Sequence, residues 1–534
     1  MSATRSPTGA SSGRRMTPRD ARRPGLPYAW RLALIPALLL SACSGEPERA
    51  REDMDFAGAG VLIISVDTLR ADRLGCYGYD RGTSPNLDDF ADEAILFEDM
   101  YSNSPKTASS HMSLFTSLLP TVHKVRNQSA RLGLESPQLA SNRLTIAQVL
   151  NRNGYWNAAV AGGANLNPEM GFKRGFRNRF ESGLADVSQL VERALQRFDS
   201  AQASGQPPFL FLHTYQVHGP YLPPREFEER FAPNPSPTVG ARVAKYRDLP
   251  FHRQWSIMNR GPGGDETLAY WYQKEQFDEE DTAYLSDLYD GEIAYTDQQL
   301  GELFDALRER GIFDSLIIVL VSDHGEEFRE HGDFEHDQLY TEHLKVPGII
   351  RLPGGHLGGT RVNGMTSLID VMPTVLELLE IEGPPIMQGE SLVGSMLSGR
   401  TSDLPVVAER VMFPADYKAS IRSQDSNVVF HATESRLEAY DLEADQAETN
   451  DVIETAPFVK GASTRLKQSL SQAFHQREIL DSEDAGGTIT VDEEQMAALI
   501  AVGYFDEGGE YTVPEGTPLD SWPEGADEGQ RQDG

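Results

Sequence analysis

The sequence predicts an α/β protein with helices on both faces of a mostly parallel sheet, and three observations predict it. Short apolar runs rich in β-branched residues recur along the chain, helical patterns alternate with them, and the residues best suited to chemistry stand where runs end. The first run, Val61-Leu62-Ile63-Ile64-Ser65-Val66, ends in Asp67 and has the composition of a strand buried on both faces. Similar runs follow at Trp156 to Ala161, Pro208 to Thr214, Leu316 to Ser322 and Val346 to Arg351. Helical patterns separate them: Asn86 to Ile95 after the Ser84-Pro85 start signal, Thr145 to Asn153, Leu184 to Phe198, Thr282 to Arg310, and Pro373 to Glu380. In such sheets ligands gather at the carboxyl ends of strands, where Asp67 and Asp323-His324 are expected.

A chain of 534 residues is too long for one core, so a large domain, a smaller one and flexible ends are expected. With 39% hydrophobic and 24% charged residues the body is neither disordered, fibrous nor polytopic. The large domain is placed at 59–400, a smaller sheet with a helix at 401–475, and an acidic, largely disordered tail at 476–534. Residues 222–280, with Pro223-Pro224, Gly261-Pro262-Gly263-Gly264 and Tyr270-Trp271-Tyr272, break the rhythm. Too long for a simple connection, they form a substrate-shaping insertion or a mobile loop, the first being preferred.

The N-terminus is basic and rich in Ser and Arg, then apolar from Leu32 to Leu40, then Leu40-Ser41-Ala42-Cys43. The apolar run is too short to span a bilayer and suits a cleaved signal peptide, with Met16 opening a more typical start. Leu-Ser-Ala-Cys resembles the lipobox of bacterial lipoproteins, which implies a signal peptide at 1–42, lipidation of Cys43, a linker at 43–58 and a lipid-anchored place in the bacterial cell envelope, periplasmic or on the outer surface. An ordinary signal peptide or a short buried helix is the alternative. With Cys43 lipidated, Cys76 has no intramolecular partner. Residues 1–42 carry seven Arg and one Asp, so their removal takes the net charge from −33 to −39. Such acidity excludes the basic footprint of nucleic-acid binding and requires a locally positive site for an anionic substrate.

Asp67, Asp323 and His324 would converge at strand ends as ligands for a divalent cation, although a strand-end Asp alone is more often a cap. The segment Thr107-Ala108-Ser109-Ser110-His111-Met112-Ser113-Leu114-Phe115-Thr116-Ser117-Leu118-Leu119-Pro120 follows a strand and opens an amphipathic helix. A hydroxyl at a helix N-terminus is either a cap or a group set among free N–H donors where an anionic ester binds.

Together with Val66-Asp67-Thr68-Leu69-Arg70-Ala71-Asp72-Arg73-Leu74-Gly75-Cys76-Tyr77-Gly78, this segment closely resembles the two N-terminal signatures of the sulfatase family, in the alkaline phosphatase superfamily. The family's second signature is Cys/Ser-x-Pro-Ser-Arg, its first residue converted to formylglycine, and bacterial relatives use Thr-x-Pro-Ser-His. Aligning the shared Ser-Leu-x-Thr-x-x-x-Pro sets Thr107 at the nucleophile, Ser109 at the proline and His111 at the arginine. Paired Asp ligands are frequent in the first signature, whereas the second position here is Thr68. The segment Val321 to Gly332 matches the C-terminal ligand motif, and Tyr340-x-Glu342-x-x-x-Val346-Pro347 a further pattern, with His336 where sulfatases place a Lys on the ester. The segment His213-x-x-x-x-His218-Gly219-Pro220-Tyr221 is similar to the family's His-x-Pro-Tyr, whose His contacts the ester oxygen. Asp370 to Thr374, Gly389 to Leu392 and Tyr440 to Asp451 extend the resemblance over about residues 59 to 455.

The resemblance implies an alkaline-phosphatase-like three-layer sandwich with a smaller C-terminal α+β subdomain. It implies one divalent metal on Asp67, Thr107, Asp323 and His324, because Tyr284 to Gln299 lacks the histidine of two-metal members. Mixed O/N donors favour Mn, Mg or Zn over Ca. Thr107 would attack an anionic ester of a small molecule, glycan or lipid head group, with His111, His218 and His336 stabilising ester oxygens or protonating the leaving group. Since Thr cannot become formylglycine, phosphoesters or phosphodiesters are favoured. The rivals are a sulfuric ester hydrolase working without formylglycine, an envelope phosphotransferase, and a catalytically silent surface binding lipoprotein.

Overall fold

Alternation along the first strand, β1 (Gly60–Val66), sends Leu62, Ile64 and Val66 to one face of the sheet and Val61 and Ile63 to the other, all fully buried. Each such side chain contributes about 1.5–3 kcal/mol relative to exposure. β6 (Leu316–Val321) repeats the pattern, with Leu316, Ile318 and Leu320 on the first face and Ile317, Val319 and Val321 on the second. A continuous apolar run is thus the trace of a strand covered on both sides.

The computed structural model describes residues 54–127, 137–163, 165–254, 277–402, 404–412, 416–484 and 517–523. The signal peptide with Cys43, residues 255–276 of the inserted stretch, and 485–516 and 524–534 of the tail lie outside the described residues.

Besides β1 and β6, the main sheet contains β2 (Ile95–Tyr101), β3 (Trp156–Ala161), β4 (Arg179–Ser182), β5 (Pro208–Thr214), β9 (Lys345–Arg351) and β10 (Thr360–Ser367), in the order β10-β2-β9-β6-β1-β5-β3-β4. All pairings are parallel except those of β9, which runs antiparallel to β2 and β6. β9 is reversed because residues 322–344 loop out at the carboxyl end of β6 and return from that same end, with no crossover helix between. That loop carries the short hairpin of β7 (Glu327–Phe328) and β8 (Phe334–Glu335).

Helices Pro85–Asp92, Val187–Ser204 and Glu279–Glu309 cover one face through Phe90, Leu190, Phe198, Leu285 and Leu303. Helices Thr107–Thr116, Ile146–Arg152 and Val371–Leu378 cover the other through Phe115, Leu150 and Val375. The result is the expected three-layer α/β sandwich. Helix Pro85–Asp92 is shorter than expected, since Ile95 already begins β2. Helix Thr107–Thr116 is not amphipathic as expected: all ten residues are buried, and its hydroxyls bond inward, Ser109 to Val125 O and Ser110 to Asp323 O.

The C-terminal unit is an antiparallel sheet of β11 (Val406–Met412), β12 (Asp416–Arg422), β13 (Ser426–His431) and β14 (Arg436–Asp441), packed on helix Val459–Asp484. The tail departs from the expectation of disorder at both described ends. The helix runs on to Asp484, and residues 517–523 dock, with the Trp522 and Phe430 rings 4.6 Å apart, because two apolar side chains, Leu519 and Trp522, outweigh the acidic composition locally. No helix among the described residues is long and apolar enough to cross a membrane.

Candidate active site

β1, β5 and β6 are adjacent and in register, Ser65 lying opposite both His213 and Val321. Their carboxyl ends therefore bring Asp67, His213 and Asp323-His324 together although some 250 residues separate the two acids. The turns are tied down locally. Thr68 N donates to Asp323 Oδ1 (3.3 Å), Leu69 N donates to Ser322 Oγ (2.9 Å), and Tyr289 OH donates to Thr68 O (2.7 Å). Thr68, a β-branched residue, is held at φ 58, a strained conformation that persists only where the surroundings impose it.

Thr107 is the first residue of its helix, and its Oγ1 lies 3.3 Å from His324 Nε2 and 3.4 Å from the Tyr215 hydroxyl, which donates to it. Asn165 Nδ2 donates in turn to Tyr215 OH (3.1 Å). Gly163, at φ 87, makes room for that ring: a Cβ there would lie 2.0 Å from it.

Hydrogen bonds to carbonyl oxygens fix the imidazole tautomers, because a carbonyl only accepts. His324 Nδ1 donates to Gly325 O (3.1 Å) and His213 Nδ1 to Gly162 O (2.8 Å), so each Nε2 carries a lone pair, that of His324 toward Thr107 Oγ1 and that of His213 toward Asp67 Oδ2. His218 Nδ1 donates to Gly219 O (2.7 Å), and His336 Nδ1 lies 3.0 Å from Glu326 Oε1, so each keeps Nε2 for a substrate. The His336 ring stacks on His324 (4.2 Å between centroids), with His218 edge-on (5.1 Å). His111 differs from its expected role at the ester. Its Nδ1 donates to Thr107 O (2.8 Å) and its Nε2 contacts Ser65 Oγ (2.9 Å), so both nitrogens are used within the protein. His111 braces the helix start that holds Thr107.

Burial pushes the carboxyls of Asp67 and Asp323 well above their usual range, the first further raised by Glu326 and the second by Asp67. It pushes His324, His336 and His218 down, and His213 to about 3. Asp67 Oδ1 and Asp323 Oδ2 are buried without a hydrogen-bond partner, and donor atoms of Asp67, Asp323 and His324 lie within 4.8 Å of one another. Orphaned carboxylate oxygens beside a free imidazole lone pair fit a divalent cation, which would replace their lost solvation.

The same centre contains residues to which the motifs gave no role, His213 and Glu326 named in the matched segments and Tyr215 and Lys106 not. His213 stands 3.2 Å from Asp67 Oδ2, and its signal is the one that marks Asp67, a polar residue closing an apolar strand. Tyr215 and Lys106 carry no such signal. Lys106 Nζ pairs with Asp337 Oδ1 (2.6 Å) and, after burial, is the largest influence lowering His336.

The model of the family described as Sulfatase matches residues 60–381, more than half of the chain, and that described as N-sulphoglucosamine sulphohydrolase, C-terminal, matches residues 329–476. The chain belongs to the sulfatase family. It is thus a hydrolase of the alkaline phosphatase superfamily. Among relatives, iduronate 2-sulfatase of Mus musculus is 23% identical over 62% of this chain and 66% of its own length, so the match spans about two thirds of that protein. Two solved structures share the fold. One, in complex with its substrate D-glucosamine-2-N,6-O-disulfate, is 20% identical with a TM-score of 0.60 over 79% of this chain and 98% of its own. The other, a phosphonate monoester hydrolase of Agrobacterium radiobacter, is 22% identical with a TM-score of 0.58 over 78% and 96%.

Proposed function

We propose that this sulfatase-family hydrolase uses Thr107 Oγ1 directly as its nucleophile on an anionic ester, with phosphoesters or phosphodiesters preferred over sulfate esters. The observation that carries the reading is the buried Thr107 hydroxyl, 3.3 Å from His324 Nε2 and beside two orphaned carboxylate oxygens. Asp67, Asp323, His324 and Thr107 would hold one divalent cation, Mn, Mg or Zn rather than Ca, which when bound supplies the charge that acidifies the Thr107 hydroxyl and neutralises the ester.

The protein groups supply the rest. The helix N-terminus at Thr107 offers backbone N–H donors to the ester oxygens. The Tyr215 hydroxyl, donating to Thr107 Oγ1, stabilises negative charge developing on that oxygen. His218 and His336 each present Nε2, one to hold an ester oxygen and the other to pass a proton to the leaving group, with Glu326 orienting His336. A threonine ester has no second hydroxyl with which to expel its sulfuryl or phosphoryl group, so turnover needs a second attack, by water, at phosphorus or sulfur. This requirement supports the phosphoester preference. A second reading, sulfate-ester hydrolysis by the same threonine, is supported by the family match and by relatives named as sulfatases.

The Leu40 to Cys43 segment supports attachment to a bacterial envelope membrane through lipidated Cys43. A Cys43→Ser protein would leave the membrane fraction; retention there would sink that part of the reading. For the chemistry, purified protein is assayed on aryl sulfate, phosphate monoester, phosphodiester and phosphonate monoester. A kcat/KM ranking with phosphodiester or phosphonate first supports the preference, and aryl sulfate first reverses it.

A further inference from the structure

Tyr215 to Pro224 join β5 to helix Arg225–Phe231 without regular structure, and His218 stands among them. A stretch of that kind samples many conformations unless something outside it fixes its ends. Here one side chain does so. Glu292, on helix Glu279–Glu309, accepts from Gln216 Nε2 through Oε2 (2.8 Å) and from Leu222 N through Oε1 (2.7 Å), one bond on either side of His218. Gln216 Oε1 accepts in turn from Val187 N (3.2 Å), which fixes the orientation of its amide with Nε2 toward Glu292. Gly291 lets the helix come close enough for these bonds, since a Cβ there would lie 2.9 Å from Pro223 Cγ. The same helix holds the turn after Asp67, where Tyr289 OH accepts from Arg70 N (3.0 Å) and donates to Thr68 O (2.7 Å).

Glu292 is 1% exposed, and burial pushes its carboxyl up to about 8 against the pull of both donors. A carboxyl in that place costs free energy that an apolar residue would not, and none of the chemistry above uses it. What it offers is two acceptor oxygens on one rigid group. A glutamine of the same shape has one acceptor, and its NH₂ would face a donor at the other bond. Between the clamped ends the His218 ring stacks on Tyr215, with centroids 4.9 Å apart, and meets His336 edge-on at 5.1 Å, while Nδ1 donates to Gly219 O.

We propose that Glu292 is the positioning residue for His218, fixing both ends of the segment Gln216 to Leu222 so that the imidazole Nε2 meets the ester. The inference rests on the reading of His218 as a group that acts on the ester.

The test is a double-mutant cycle on the purified full-length protein, with whichever of the four esters above turns over fastest. Glu292→Gln should lower kcat about tenfold to a hundredfold, the scale of a misplaced group, with KM little changed. In a His218→Ala background the same substitution should leave kcat unchanged, because the group it positions is gone. An equal fall in both backgrounds, or no fall when His218 is present, overturns the proposal and leaves the role of His218 standing; full turnover by His218→Ala removes that role and the proposal with it. Because Glu292→Gln can impair folding, Gln216→Met, which deletes one of the two bonds from the other side, goes through the same cycle. A fall that requires His218 is expected, and an unchanged kcat overturns the proposal. Position is also read without turnover, by NMR. The His218 ring resonance, assigned by its loss in His218→Ala, should shift in both variants while those of His123 and His431 hold still; a stationary His218 resonance, or a shift of all three, refutes the proposal.

Discussion

Thr107 has three neighbours with separable consequences: the helix whose N-terminus it occupies, the Tyr215 hydroxyl on its oxygen, and the His324 imidazole. Thr107→Ala should lower kcat/KM at least about 10³-fold, the scale of losing a nucleophile, with an unchanged melting temperature; Thr107→Ser, which keeps the hydroxyl, should retain measurable turnover. Equal activity of the alanine variant and the wild type would end the nucleophile proposal. Tyr215→Phe removes one donor. Because that bond is long, at 3.4 Å, the loss should sit near the lower edge of the range for a single oxyanion donor, about tenfold to a hundredfold in kcat with KM little changed. Burst kinetics on an activated ester would show which half-reaction slows. At this scale the sequence was legible where side-chain type and strand position coincide, as at Asp67, Asp323 and His324. It set His111 at the ester, whereas both its nitrogens turn inward to Thr107 O and Ser65, because hydrogen-bond direction is set by tertiary packing.

Among the elements, those buried on both faces were readable and those at the margins were not. Trp156–Ala161 and Pro208–Thr214 fall where the apolar runs predict them, since nothing but a covered strand tolerates such composition. β2 combines Ile95, Leu96 and Phe97 with Glu98 and Asp99, and β10 contains Asn363 and Gly364, mixtures that flanking helix patterns mask. The direction of β9 depends on the path of residues 322–344, which composition does not record. Helix Pro85–Asp92 shows how an element end can be fixed from afar. Its own Ser84 makes no side-chain cap, and Asp297, on helix Glu279–Glu309, accepts from Leu87 N (2.8 Å), Asn86 N (3.2 Å) and Asn86 Nδ2 (2.7 Å). Asp297→Ala should therefore cost about 1–2 kcal/mol, as loss of a helix cap does, in urea unfolding. Turnover should be unaffected, and a fall in kcat would mean that this helix positions the site as well as supporting the fold.

For the whole molecule, the C-terminal sheet is fastened to the catalytic layer by buried carboxylates set against cations and donors. Glu448 bonds Arg422 Nη2 (2.6 Å) and Asn427 Nδ2 (2.7 Å) through Oε1, and Thr341 N and Oγ1 (both 2.7 Å) through Oε2. Glu438 receives Tyr340 OH and Tyr440 OH (both 3.1 Å) and pairs with His431 and Arg436. Burial alone would raise both carboxyls, but these partners outweigh it, holding Glu448 below its usual range and Glu438 down from 4.5 to about 2. A carboxyl lowered on folding stabilises the native state fully above its unfolded pKa, and the contribution disappears as pH falls through the folded one. For Glu438 the window runs from 4.5 down to about 2, and because Arg436, one of its two charged partners, is exposed and solvent-screened, the contribution is on the order of 1–2 kcal/mol. Urea midpoints measured across that window should fall steeply for the wild type. They should fall less steeply for Glu438→Gln, which is already weakened at neutral pH by loss of the charge facing Arg436 and His431. Parallel profiles for the two proteins would mean that the seam draws its strength from packing between Tyr340 and Tyr440, whose rings meet edge-on at 5.7 Å, rather than from the ionised carboxylate.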